Sequence, residues 1–481
     1  MTRTARPVQN AVLASLLMSL GISAPAWGAG FELPGNSAQG IGRGMALTAA
    51  VDDSTAVAHN PGRLAQQKGN HVQWSHQIIM ANETFTRSKS TVVQDPVPGT
   101  NDADALKPSS NKTPLFPLGA FAAASTDFGM ADWTFALAGY GPSAVGHKEF
   151  DSQGGQKYML TKLDALLAYA SAAVAYGKKD QFGIGATLQW AMMPKTDMSL
   201  VVDASTGGPQ NPYYAGNDAV ATIRLKDMTA FSAIVGGWYR LTEALDIALS
   251  GRVMPVEFEA EGDLILVNDK PGAGANFSQQ QLSVTNSKAK LAMKLAPTAS
   301  LGLRYRMLKP DGAESMDAEV DVVWEGWSVL NEYNVINSGK INLFAAQDAP
   351  NVKIAKKWQD TLSVRLGTTY WYSPDLGVSL GTYYEQGATP LDYSHLDFPS
   401  FDRIGAGMGV RYKYGPVSAN LSLAHVEQET RVVEEQWGQV QQQRPLAPCP
   451  TGCSGFTALP ANAGKFETSY EMLSWSLSAA F

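Results

Sequence analysis

Side chains able to do acid–base or covalent chemistry are few in this chain and scattered. None of the six histidines, His59, His71, His76, His147, His395 and His425, is followed two residues on by a serine. His425 and Ser422 fall on opposite parities, so a strand would turn them to opposite faces and no Ser–His relay forms there. Cys449 and Cys453 are the only cysteines and bracket Pro-Thr-Gly. Two thiols do not close a zinc site. The spacer is a turn that could bring the two Cα atoms together, so a small loop disulfide is expected in an oxidising compartment. GIGRG at Gly40–Gly44 has the glycines of a dinucleotide loop, but follows no strand. No enzyme activity, metal or cofactor is expected. What remains are cations repeating at even numbers, Lys288, Lys290, Lys294, Arg304 and Arg306. Of these, Lys290, Lys294 and Arg304, with Arg365, could hold a carboxylate or pair with acids such as Glu319 and Asp321.

The elements that position these cations read as strands behind an export signal. Arg3 and Arg6 precede an apolar run, Ala11 to Ile22, and a small-residue site, so residues 1–28 read as a signal peptide cut after Gly28 or Ala26. No later run of roughly 18 apolar residues could cross a membrane as a helix. Lys+Arg 37 against Asp+Glu 44 leaves a net charge of −7 and no basic face for nucleic acid.

From His71 onward the pattern has period two. Lys288, Lys290 and Lys294 share one parity with Thr298, Ser300 and Arg304; Leu291, Met293 and Leu295 share the other with Leu301, Leu303 and Tyr305. About fourteen strands alternate between tight turns, such as Gly177–Asp180 and Gly415, and long joins, such as Pro194–Lys226 and Gly262–Asn286. Strands are expected at 245–260, 287–306 and 315–330. Aromatics crowd the short-turn ends at Tyr176, Trp238, Tyr239, Tyr305, Tyr370, Tyr372, Tyr412 and Tyr414, as at a membrane–water boundary. An even strand count ending at Phe481 closes without an edge. The expected fold is all-β, a 14-stranded antiparallel transmembrane barrel. A lipid-facing lysine costs roughly 2–4 kcal/mol at mid-membrane. The Lys288/Lys290/Lys294 face is therefore assigned to the lumen and the Leu291/Met293/Leu295 face to lipid.

Three stretches then resemble one family. Ala29–Ala65, AGFELPGNSAQGIGRGMALTAAVDDSTAVAHNPGRLA, is similar to the N-terminal hatch of the FadL family of outer-membrane long-chain fatty acid and hydrocarbon transporters. Ala318–Tyr333 resembles its D-x-x-W-x-G-W-S strand, and Lys356–Tyr384 its W-x-D-T-x-S hairpin. The resemblance implies a hatch at 29–70 plugging a barrel at 71–481. It implies that Phe31 reaches a ligand pocket and that Asn60, Pro61 and Gly62 act as a gate against an inward kink in the third strand. That kink is assigned to Gly139, Tyr140, Gly141 and Pro142, since Gly and Pro interrupt a ladder. Gly62 stands where the family usually has Ala, which predicts a looser backbone. Phe31, Lys290, Lys294, Arg304 and Arg365 are the ligand candidates.

The implied function is passive uptake of long-chain fatty acids or other hydrophobic molecules across a Gram-negative outer membrane, with lateral release. Alkanes or monoaromatic hydrocarbons are the alternative cargo. A polar-solute porin and an outer-membrane lipase are the readings from other classes. The expected surroundings are outer-membrane lipid and lipopolysaccharide, with the chain a monomer.

Overall fold

A computed structural model describes residues 28–30, 36–88, 106–141, 146–203, 218–269, 281–343, 345–349, 351–443 and 456–481. Residues 1–27 of the expected signal, Phe31, Pro142, Cys449 and Cys453 lie outside the described residues.

The period-two stretches form one closed antiparallel wall of fourteen strands. The first six are β1 (Asn70–Arg87), β2 (Leu115–Thr126), β3 (Trp133–Tyr140), β4 (Lys162–Lys178), β5 (Phe182–Asp203) and β6 (Asp218–Thr242). Three strands follow in two segments each. They are β7a (Leu245–Arg252) with β7b (Val256–Asn268), β8a (Ser283–Leu295) with β8b (Thr298–Leu308), and β9a (Glu314–Glu325) with β9b (Glu332–Leu343). The last five are β10 (Thr361–Trp371), β11 (Leu376–Gly387), β12 (Arg403–Tyr414), β13 (Val417–Gln428) and β14 (Gly464–Ala480). β14 pairs with β1 from His71↔Ala480 to Arg87↔Gly464, leaving no free edge at the seam. The β12–β13 connection is so tight that Gly415 takes φ +56, a conformation open to glycine at little cost.

The lysine register is the main correction. In β8b the expected parity holds: Leu301, Leu303 and Tyr305 point outward, while Arg304 turns inward to acids. Parity flips at Ala296-Pro297. In β8a, Lys288, Lys290 and Lys294 are exposed, whereas Leu291, Met293 and Leu295 are buried inside. The lysines escape a lipid penalty because this half of the strand stands above the hydrocarbon. Lys290 pairs with Glu261, and Lys294 with Glu257 at 2.6 Å, on the outer face of the β7b–β8a ladder. All three segment breaks lie at this level, at 253–255, 296–297 and 326–331. Below it the outer face carries Leu249, Leu303, Val322, Val364 and Leu366; above it, Glu257, Glu261 and Lys294. Accordingly, much of the long joins expected at Pro194–Lys226 and Gly262–Asn286 is strand that continues the wall upward.

The short-turn girdle is present at Tyr239, Tyr305, Tyr370, Tyr372, Tyr412 and Tyr414, all exposed. Tyr176 is half-buried against Trp133 and Phe182, and Trp238 departs altogether. It is buried, donates from Nε1 to the Gly62 carbonyl at 3.2 Å, and stacks under Arg63.

Candidate functional site

Residues 36–69 fill the lower lumen as a plug of short turns, two small α-helices (Ala38–Gly42, Ala56–His59) and a 3-10 turn (Pro61–Gln66). Small residues let it lie against the wall: Ala38, Ala46, Ala49, Ala50, Ala56 and Ala65 are all buried. An acidic ladder on β9a holds it. Asp321 accepts from the Leu47 and Thr48 backbone N–H groups, both at 2.9 Å, and Glu319 from that of Ala49 at 2.6 Å. Arg43 of the GIGRG stretch pairs with Asp317 at 2.7 Å and Glu319 at 3.4 Å, and donates to Thr369 at 2.6 Å. Arg43 is not among the sequence candidates, because the glycines around it are the more visible feature of that stretch.

Asn60, Pro61 and Gly62 form the N-terminus of the 3-10 turn. The Asn60 side chain caps it by accepting from Gly62 N at 3.1 Å and donates to the carbonyls of Thr48 at 2.7 Å and Gly237 at 3.2 Å. Asn60, Pro61 and Gly62 lie against glycines 183, 185, 236 and 237 of β5 and β6, which flatten the wall there, and not against the Gly139–Gly141 stretch at the end of β3 as expected. Nor is Gly62 a loose joint. A Cβ there would stand 2.8 Å from Gly183 O, Gly236 O and Gly237 Cα, so the glycine serves close backbone approach.

Above the plug the lumen opens into an apolar chamber with about 1400 Å3 of empty space, its mouth included. Met193, Met198, Leu266, Leu291, Met293 and Phe398 are among its walls, and no charged side chain lines it among the described residues. The chamber reaches β3 where that strand leaves the ladder. Tyr140 pairs with Tyr169 and His147 with Asp164, so the register against β4 shifts by two residues between these described pairs. Gly141, Gly146, Leu166 and Leu167 line the chamber at this interruption, and β4 shifts register between Leu166 and Ala168. Gly139 and Tyr140 are still in regular pairing, with the departure beginning at Gly141.

The roof is a loop, 388–402, folded inward. Its Phe398 lines the chamber while its neighbour Asp397 is buried between Lys356 and His395 Nδ1, the latter at 2.8 Å. Burial would raise Asp397, but the His395 and Lys356 charges and their hydrogen bonds hold its carboxyl well below the ordinary range. Lys148 donates to the Leu396 carbonyl at 3.3 Å from the other side.

The remaining ligand candidates separate. Lys290 and Lys294 stand on the outer face and do not meet the chamber. Arg304 faces the lower lumen and is engaged by Asp317 at 2.6 Å and Glu314 at 2.7 Å. Arg365 projects from β10 on the lumen parity, and among the described residues it has neither ion pair nor hydrogen bond; its Nε is buried. Two further residues come from the motifs themselves. Trp327 meets Trp358 edge-on at 5.3 Å, and Ser328 N donates to Asp360 at 3.0 Å, so the two motifs converge in space. Gly30 lies flat against the Trp327 indole, with no room for a Cβ, and Gly28–Ala29 pair in parallel with Gln386–Gly387 of β11.

The family model for outer membrane protein transport proteins (OMPP1/FadL/TodX) matches residues 19–447. The chain belongs to this family. It is thus an outer-membrane β-barrel of a family of hydrophobic-compound transporters. Among solved structures, a FadL homologue from Pseudomonas aeruginosa is similar at TM-score 0.71 and 14% identity, covering 94% of this chain and 100% of that one. The P. putida toluene transporter TodX is similar at TM-score 0.64 and 15% identity (94% and 99% covered). The CymD monoaromatic hydrocarbon channel follows at 0.59 and 14% (94% and 99%). At these identities the likeness concerns the fold. No curated protein sequence matches the chain.

Proposed function

We propose that this FadL-family chain takes up long-chain fatty acids, or comparably long hydrophobic molecules, by passive diffusion. Cargo enters at the 388–402 roof, rests in the apolar chamber and leaves sideways at the β3 interruption. The observation that carries this reading is the continuity of an uncharged chamber with Gly141, Gly146 and Leu166 at the broken ladder. Each methylene buried there gains roughly 0.8 kcal/mol, so release into water is disfavoured and release into outer-leaflet hydrocarbon is not. Movement of the plug, with Phe31 and the Asn60-Pro61-Gly62 turn, governs passage. Arg365, without a counter-ion among the described residues, stands outside the chamber lining near His59 of the plug and is the carboxylate partner once the plug moves. Lipopolysaccharide is the partner of the charged outer band around Lys288, Lys290 and Lys294.

A second reading, uptake of neutral monoaromatics, is favoured by the same lack of charge in the chamber lining. TodX is named a toluene transporter. Liposome uptake of labelled oleate and labelled toluene, by the intact protein and by Arg365→Gln, separates the two. Oleate uptake that falls in the variant while toluene is unchanged supports the first. Toluene uptake alone supports the second. Free passage of sugars without either apolar solute overturns both.

A further inference from the structure

The periplasmic end of the lumen holds a second cavity of the opposite character. It contains about 1290 Å3 of empty space, open mouth included, between the plug and the turns at Asp180, Lys309 and Pro374. Seven basic side chains line it against four acidic ones. Most of the acids are already engaged: Asp317 by Arg43 and Arg304, Asp180 by Arg240, and Asp52 by Arg411 Nη1 at 2.8 Å to each oxygen. Three cations remain without an ion pair among the described residues: Arg63 on the plug, and Lys309 and Lys413 on the wall.

We propose that this cavity binds a small soluble oxyanion, of the inorganic phosphate type, which bridges Arg63 of the plug to Lys413 of the wall. Arg63 is only 5% exposed, and its Nε donates to the Val51 carbonyl at 3.0 Å. Its Nη1 is buried with no hydrogen-bond partner among the described residues. An unpaired buried guanidinium is costly, and a multidentate oxyanion is the partner its planar fork fits. Burial foremost, then the Arg304 charge, lowers the Arg63 pKa to about 10 against the opposing Asp246, Asp52 and Glu319 charges, so the guanidinium is poorly solvated where it stands. Lys413 supplies a second donor from the wall. Its Nζ sits 4.4 Å over the Trp371 ring, an orientation that holds the ammonium at the cavity edge without neutralising it. The plug already places one anion among these cations, the Asp52 carboxylate. Burial would raise Asp52, but Arg411, Lys413 and the Arg411 hydrogen bond prevail and bring it to about 2. The surplus cations accept a second anion beside it. Such a bridge ties plug to wall and depends on the periplasmic solution rather than on cargo.

Calorimetric titration of the intact protein in detergent with inorganic phosphate, at constant ionic strength, tests the site. Saturable binding is expected, weakened at least about tenfold by Arg63→Gln and by Lys413→Gln and unchanged by Lys112→Gln, whose residue forms an exposed pair with Asp151. Phosphate should also slow hydrogen exchange at the Leu47–Ala49 amides. If Arg63→Gln does not fold, as judged by loss of heat-modifiable gel mobility, Lys413→Gln decides alone. No saturable binding to the unmodified protein, or binding that survives Lys413→Gln at full strength, overturns the proposal.

Discussion

Arg43 and Asp317, 274 residues apart in sequence, meet at 2.7 Å with both side chains 1% exposed. This is a buried charged tie between plug and barrel; Asp317 also meets Arg304 at 2.6 Å, whereas Arg43 is the one guanidinium paired with Glu319 among the described residues. Removing one partner of a buried pair costs about 3–5 kcal/mol, because the other is left uncompensated. Arg43→Ala is expected to release the plug while the wall, closed by its own ladder, persists. Hydrogen exchange should accelerate at Leu47–Ala49 but not in β1 or β14. Equal acceleration in both would show that the pair stabilises the barrel as a whole.

Gly62→Ala tests the close approach of the plug to β5 and β6. A methyl 2.8 Å from three backbone atoms has nowhere to go, and overpacking of this kind costs about 1–3 kcal/mol. Gly139→Ala is the matched control, since a Cβ there meets nothing within 4 Å. Single-channel recordings should show more frequent openings for the first and wild-type behaviour for the second. A silent Gly62→Ala would restore the view of this site as a loose joint.

Met293→Lys and Lys290→Gln lie three residues apart on β8a and should behave in opposite ways. The first places a charge in the uncharged chamber, a burial without compensation that disfavours an acyl chain as neighbour. Oleate uptake is expected to drop by at least about tenfold, which corresponds to roughly 1.4 kcal/mol. The second removes the solvent-exposed half of a surface pair, which contributes little, and leaves uptake unchanged. Reversed results would mean that the inner and outer faces of β8a have been exchanged.

His59 makes plug docking sensitive to acid. Burial foremost, and then Arg365, lower its imidazole pKa to about 4, against 6.5 for the ordinary side chain. Between those values a released plug takes up a proton that the docked plug refuses. Docking is therefore at full strength above pH 6.5, weakens as pH falls, and loses no more below pH 4 from this group. The full effect is about 3 kcal/mol. Plug exchange rates, corrected for the intrinsic pH dependence of exchange, should rise over that window and flatten in His59→Gln. An unchanged profile in the variant would assign the response to another group.

The strand count, the short turns and the outer-membrane family were legible because period-two alternation, turn residues and three motifs all point one way. β8 shows where that legibility ends. A single parity argument runs from Tyr305 up to Lys288, but the outer solvent changes from hydrocarbon to water at Ala296-Pro297, and the preferred face changes with it. Alternation reports that two sides differ; it does not say which solvent lies on either. Arg43 and Trp327 stay hidden for another reason. Each gains its role from a partner hundreds of residues away or from a flat glycine such as Gly30, and local spacing carries no record of such meetings.

The upward continuation of β5 to β9 past the three breaks sets the height of the entrance. The rim carries charged pairs on its outside and apolar side chains within, so its two faces are matched to different surroundings. Under the uptake proposed above, that raised rim would lift the point of capture well clear of the hydrocarbon level.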